Sequence, residues 1–263
     1  MKKNIIVAGI DMGSSTTKVV LLDEKQNILA RHIIPSGGRF VHACEQCYET
    51  ALNNAGLARE SVNLVVSTGY GRKRVPFPSE DVTEITCHAK GVHFIFPNTR
   101  TVIDIGGQDS KVIKLKETGK IETFVMNDKC AAGTGRFLEV IARALEVDLN
   151  EMREMHLKSK KIIPLSNFCT VFAESEVISL MAQGHEIPDI IRGINSAVAS
   201  RIIALMNRVT GGEVITLTGG VAKNEGVIFE MTEQLNGKRM NIPEEPQITG
   251  ALGAALIALE RVT

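Results

Sequence analysis

The sequence predicts an α/β protein of two similar domains, each a sheet covered by helices, and three observations predict it. A strand, glycine turn, strand pattern occurs twice, strands alternate with helices through the rest of the chain, and the apolar residues are aliphatic rather than aromatic. The length, 263 residues, suits one or two domains. Hydrophobic residues make up 44% but aromatic ones only 4%, with no tryptophan, which argues for an aliphatic core and against base-stacking platforms. Thirty basic side chains balance thirty acidic ones without any block of like charge, so neither nucleic acid nor an anionic membrane is expected as a partner.

The repeated pattern lies in Ile5 to Leu22 (IIVAGIDMGSSTTKVVLL) and Thr101 to Leu115 (TVIDIGGQDSKVIKL). In each, a β-branched run ends in Asp-x-Gly, small or polar residues follow, and a lysine opens a second apolar run. Lys18 follows Asp11, and Lys111 follows Asp104, at the same spacing of seven. Two such hairpins suggest duplication of a domain.

Between and after them come helices and single strands. Val41, Cys44, Tyr48, Ala51 and Leu52 have helical spacing, and Gly56 is placed to end that helix. Leu64 to Ser67 reads as a strand running into the turn Thr68-Gly69-Tyr70-Gly71. Asp81-x-x-Glu84 has the form of a capping box for a helix toward Phe96, which Pro97 stops. Gly135 to Leu145, Glu174 to Met181, Ile187 to Val209 and Gly250 to Glu260 read as helices, and Val214 to Leu217 as a strand. Pro97-Asn98 is the best boundary. Residues 1–98 are then a first domain, 99–249 a second, and the terminal helix 250–263 packs back on the first.

Glycine after an aspartate at a strand end lets backbone amides approach an anion closely. Asp11-Met12-Gly13-Ser14-Ser15-Thr16 adds three hydroxyls. Asp104-Ile105-Gly106-Gly107-Gln108-Asp109 adds an amide and a second carboxylate. Facing each other, the two loops would grip a polyphosphate, with Asp11 and Asp104 holding Mg2+ through water. Leu217-Thr218-Gly219-Gly220-Val221-Ala222-Lys223-Asn224 is a third glycine loop at a strand end. No Gly-x4-Gly-Lys-Ser/Thr occurs, and Gly133-Thr134-Gly135 lacks the third glycine of a dinucleotide fingerprint. In this order the three loops resemble the phosphate and adenosine loops of the actin, sugar kinase and Hsp70 superfamily, and Gly250-Ala251-Leu252-Gly253-Ala254 resembles its second connecting helix. The resemblance implies two ribonuclease-H-like domains with ATP or ADP and Mg2+ in an interdomain cleft.

Five cysteines and an opening apolar run cut short by Asp11 argue against a secreted disulfide scaffold, and no apolar stretch reaches the roughly 20 residues of a membrane span. A cytoplasmic location follows, and the thiols need another explanation. Cys130, in Asn127-Asp128-Lys129-Cys130-Ala131-Ala132-Gly133-Thr134-Gly135-Arg136, and Cys169, in Asn167-Phe168-Cys169-Thr170-Val171-Phe172-Ala173-Glu174-Ser175-Glu176, each precede an expected helix. On the residues alone two readings stand. They are small buried hydrophobes, or thiolates favoured by a helix dipole, in which case a two-fold dimer supplies the four that a [4Fe-4S] cluster needs. Cys44 and Cys47 form a lone Cys-x-x-Cys on a helix and read as core or surface thiols. Cys87 and His88 lie mid-helix and read as packing, and no catalytic histidine is assigned.

Residues 127–138 (NDKCAAGTGRFL), 169–179 (CTVFAESEVIS), 104–109 (DIGGQD) and 84–89 (EITCHA) together resemble the activator component of 2-hydroxyacyl-CoA dehydratases, a family that includes the ATPase subunits of benzoyl-CoA reductase. The resemblance covers nearly the whole chain. It implies a homodimer with one bridging [4Fe-4S] cluster on Cys130 and Cys169, passing single electrons from a low-potential donor such as ferredoxin or flavodoxin to an iron-sulfur acceptor enzyme at the expense of ATP. The expected assignments are Asp11, Asp104 and Gln108 for Mg2+ and water, and Ser14, Ser15, Thr16 and Gly107 for phosphates. Gly13, Lys18, Gly106, Gly133 and Lys223 complete the loops, and Gly219, Gly220 and Asn224 border the adenosine. A small-molecule kinase of the same superfamily is the alternative, as is an activator of a benzoyl-CoA-reductase-type or double-cubane-cluster protein.

Overall fold

The computed structural model describes residues 5–166, 169–209 and 214–263. Asn167 and Phe168 of the second cysteine motif lie outside them. The chain runs through β1 (Ile6–Met12), β2 (Thr16–Asp23), β3 (Ile28–Pro35), α1 (Phe40–Ala55), β4 (Leu64–Thr68), β5 (Glu80–Asp81) and α2 (Glu84–Ile95). It continues through β6 (Thr101–Ile105), β7 (Ser110–Leu115), β8 (Ile121–Asn127), α3 (Gly135–Ala144), α4 (Glu151–Lys158), α5 (Thr170–Ala182) and α6 (Ile187–Met206). It ends with β9 (Ile215–Thr218), α7 (Glu225–Gln234) and α8 (Thr249–Val262). One sheet has the order β3-β2-β1-β4-β5, the other β8-β7-β6-β9. Two compact units divide the chain: residues up to Val102 with Ile113–Glu122 and Pro243–Thr263, and Ile103–Val112 with Thr123–Ile242.

In the first unit β1 is the middle strand, antiparallel to β2 and parallel to β4, and all seven of its residues are buried. A strand covered on both faces needs a continuous apolar run, which IVAGIDM supplies until its aspartate. Helix α1 lays Cys44, Cys47, Tyr48, Ala51 and Leu52 on one face of this sheet, and Gly56 ends it in the left-handed region with φ of 65°. Helix α8 covers the other face. It lies so close to β1 that a Cβ on Gly9 would stand 1.9 Å from the Ala251 carbonyl oxygen. Helix α2 crosses α8 equally closely, with Gly91 over the Thr249 carbonyl and Gly253 under that of Cys87.

One expectation at the start of α2 needs correction. The cap is Thr83, whose hydroxyl accepts from the Thr86 amide, rather than Asp81. Glu80 and Asp81 instead add the edge strand β5 to β4, and Asp81 pairs with Arg72.

In the second unit α3, α5, α6 and α7 close an aliphatic core with Ile103, Ile105, Val112, Ile215 and Leu217 from the strands. Asp189 at the start of α6 accepts from the Lys160 and Lys161 amides, which holds its carboxyl below the usual range. Beneath α7 lies a buried polar group: His156 Nδ1 is 3.3 Å from Asn195 Nδ2, and Glu230 accepts from Arg192 at 3.1 Å. Burial pushes the His156 pKa below its ordinary 6.5, against the attraction of Glu230.

The glycine contacts predict that Gly9→Ala forces α8 off β1 and costs on the order of 3 kcal/mol. Gly38→Ala, with no atom within 4 Å of its Cβ, should stay within about 0.5 kcal/mol; urea midpoints of the two variants check the contrast. The His156 shift predicts acid sensitivity. The folded state binds fewer protons there than the unfolded one, so stability is full above 6.5 and declines as pH falls toward the lowered value. His156→Gln should flatten the slope of unfolding free energy between about pH 7 and pH 5, measured by denaturation at both. An unchanged slope would refute it.

Candidate nucleotide site and cysteine segment

The first hairpin delivers Asp11 to the end of β1, directly across from Lys18 in the β1–β2 register. Lys18 Nζ reaches Asp11 Oδ2 at 3.0 Å. The other carboxylate oxygen, Oδ1, is buried without a hydrogen-bond partner among the described residues. Glycines wall this carboxylate: a Cβ on Gly69 would stand 2.5 Å from Oδ1, and one on Gly250 would stand 3.2 Å from Oδ2. The turn beyond is closed by the Gly13 amide donating to the Thr16 carbonyl. The amides of Ser14 and Ser15 have no acceptor among the described residues. Their side chains and that of Thr16 are half-buried.

The second hairpin has the same construction. Gly106 donates to the Asp109 carbonyl as Gly13 does to Thr16, and the amides of Gly107 and Gln108 have no acceptor among the described residues. Adjacent free amides in a glycine turn form a concavity for an anion. Lys111 is fully buried, 2.8 Å from Asp109 and 3.6 Å from Asp104. Asp104 Oδ1 accepts from the Thr218 hydroxyl at 3.1 Å, which ties the phosphate-type loop to the glycine loop after β9. Gly219, at φ of 85°, sits against the Ile105 carbonyl at a separation no side chain could share. Gly220–Lys223 turn as a 3-10 helix, and the Asn224 side chain caps α7 by accepting from Gly226 and Val227. Gln108 is exposed.

The Asp-to-Lys spacing of seven that marks both hairpins in the sequence is thus an ion pair in each. Asp109, Thr218, Gly69 and Gly135 were not singled out as site residues. Asp109 alone carried a signal, as the turn's second carboxylate two residues before Lys111; the rest depend on contacts distant in sequence. An orphaned buried oxygen on Asp11 fits a hydrated magnesium ion, whose waters would satisfy it.

The cysteines separate by environment. Cys44, Cys47 and Cys87 are buried, and burial pushes each thiol up to about 12. Cys130 is half-buried and Cys169 exposed. Cys169 is the N-cap residue of α5, whereas Cys130 lies in the loop ahead of Thr134, the N-cap of α3. That loop is fastened on several sides. The Asn127 side chain donates to the Cys130 and Ala132 carbonyls, and Ser110 Oγ donates to the Gly133 carbonyl. Gly133 itself adopts φ of 83° beside the Arg201 side chain. The amides of Gly135 and Arg136 donate to the carbonyls of Gly106 and Gly107. Among the described residues, no three His, Cys, Asp or Glu side chains gather to hold a metal ion.

Residues 8–258 match the BadF/BadG/BcrA/BcrD ATPase family. The chain is similar to the (R)-2-hydroxyglutaryl-CoA dehydratase activating ATPase of Acidaminococcus fermentans, with 44% identity over 259 residues and 98% of each chain covered. The solved structure of the activator of the 2-hydroxyisocaproyl-CoA dehydratase from Clostridium difficile, with bound ADPNP, matches with a TM-score of 0.93 at 44% identity, over 98% of this chain and 95% of that one. A ROK family glucokinase from Streptomyces griseus shares the fold at 15% identity, with a TM-score of 0.61 over 97% and 99% of the two chains. The chain's two sheets with their covering helices have the actin, sugar kinase and Hsp70 fold, and the chain belongs to the BadF/BadG/BcrA/BcrD ATPase family.

Proposed function

We propose that this ATPase activates an iron-sulfur acceptor enzyme, a 2-hydroxyacyl-CoA dehydratase, by ATP-driven delivery of single electrons. The proposed assembly is a homodimer in which Cys130 and Cys169 of both copies hold one [4Fe-4S] cluster. The observation that carries this reading is the division of the thiols. Three are buried and protonated, and the two that remain accessible stand in the two segments that resemble dehydratase activators. A [4Fe-4S] cluster takes four thiolates and one chain offers two accessible ones, so in this reading a second copy supplies the other two. Helix α5, which starts at Cys169, exposes Val171, Phe172 and Ile178, and a second copy or the acceptor would cover them.

The cluster, when bound, supplies one-electron transfer. The chain's own residues supply the nucleotide chemistry. The amide pairs Ser14–Ser15 and Gly107–Gln108 would hold phosphate oxygens, with the hydroxyls of Ser14, Ser15 and Thr16 beside them. Asp11 and Asp104 would orient the hydrated Mg2+, Gln108 the attacking water, and Gly219, Gly220 and Asn224 would border the adenosine. For a one-electron couple 59 mV is about 1.4 kcal/mol, so about 300 mV of added driving force requires roughly 7 kcal/mol. Differential nucleotide affinity between two conformations can supply energy of that order. Ferredoxin or flavodoxin is the proposed donor.

Protein prepared without oxygen should carry about four iron atoms per dimer. Cys169→Ala should remove the iron while leaving ADP affinity within about twofold, measured by iron assay and calorimetry side by side. Wild-type protein that binds ADP but holds no iron would overturn the proposal.

A further inference from the structure

His88 belongs to a motif whose role the nucleotide loops leave unexplained. It lies in the middle of α2, buried, in the first unit with Asp11. Its Nδ1 is 3.1 Å from the hydroxyl of Thr249, the first residue of α8. Its Nε2 and Asp11 Oδ2 border the same small space, the one a Gly250 side chain would fill: a Cβ there would stand 3.0 Å from Nε2 and 3.2 Å from Oδ2. The ring and the carboxylate therefore both border the space that Gly250 leaves open.

We infer that His88 is a positioning residue for the ATPase centre, holding the Asp11 carboxylate in register with the α2–α8 crossing. The Thr249 hydroxyl has a second, longer contact, 3.4 Å to the Pro246 carbonyl. If the hydroxyl donates along the shorter contact, Nδ1 is the acceptor and the ring proton is on Nε2, the atom that borders the Gly250 space. Lys18 holds Oδ2 from the strand side and Gly69 closes on Oδ1, and in the inferred arrangement the imidazole borders this carboxylate from the helix side. Those helices meet with backbone in contact at Gly91 and Gly253, which leaves the ring little room to turn. The inference rests on the reading of Asp11 as the carboxylate that orients magnesium.

The test is ADP binding by the full chain, with EDTA and across a magnesium series, alongside thermal midpoints and ATPase kinetics. For His88→Leu, affinity in EDTA should stay within about twofold of wild type, the enhancement by magnesium should fall about tenfold, and kcat should fall more than KM rises. His88→Gln, whose amide nitrogen can reach the Nε2 position, should restore most of the enhancement. A His88→Leu protein with a lower thermal midpoint but a wild-type magnesium response would overturn the inference, as would His88→Gln behaving like His88→Leu. Should His88→Leu fail to fold, Thr249→Ala should show a roughly threefold loss that Thr249→Ser does not, and equal values would overturn it. A wild-type ADP affinity indifferent to magnesium would instead bring down the Asp11 reading and this inference with it.

Discussion

A buried aspartate at the end of a central strand, met by a lysine from the next strand, is the interaction around which each half of the molecule is organised. A carboxylate removed from water needs a partner, and losing one member of such a pair costs about 3–5 kcal/mol. Lys18 meets Asp11 in cross-strand register, and Lys111 meets both Asp104 and Asp109. The pair fixes the turn length between the strands, and the turn length brings two free amides to the loop tip. The second pair also fixes the neighbouring loop. Thr218 binds Asp104, so Gly219 must approach the end of β6 without a side chain. Anion-binding geometry in these loops is thus a consequence of satisfying a buried charge.

Much of this was legible from residues because it is local. The Asp-x-Gly turns, the lysine seven residues on and the aliphatic runs of β1, β2, β6 and β7 are all short-range patterns, and they place both hairpins correctly. Gly56 as the end of α1 is equally local. The strands β3 and β8 carry no such signal. They lie at sheet edges, most of their positions are only partly covered, and ILARHIIP and IETFVMN alternate poorly. Helix α4 buries only Met152 and His156, so its sequence lacks an apolar stripe; packing on α6 and α7 decides its conformation. The α2 cap was misread because Asp81 is drawn into a strand by a partner in β4, a long-range choice. The contacts of Gly9, Gly69, Gly91 and Gly253 are long-range too. Each glycine looks unremarkable in sequence and becomes obligatory only when another segment's backbone arrives.

The cysteines show the same limit from the other side. Helical spacing put Cys44 in an apolar stripe, but only burial of Cys47 and Cys87 as well turns a list of five thiols into three inert ones and two accessible ones. A thiol raised to about 12 is protonated at neutral pH and a poor metal ligand. The helix-start argument holds fully for Cys169 alone. Cys130 is held by a different device, a loop whose carbonyls are taken up by Asn127 and Ser110.

That device bears on how nucleotide state would reach the cysteine segment. The amides that open α3 donate to the carbonyls of Gly106 and Gly107, in the turn whose own amides are proposed to hold phosphate. Ser110, the first residue after that turn, holds the Gly133 carbonyl, and Asn127 holds Cys130. A shift of the glycine turn by even part of an ångström must stretch these hydrogen bonds or carry α3 and the Cys130 loop with it. Packed interiors respond to such displacements as discrete rearrangements rather than by gradual deformation. The short span from Gly106 to Arg136, closed on itself by hydrogen bonds at both ends, is therefore where occupancy of a phosphate loop and the position of a thiol can be made interdependent within one half of the molecule.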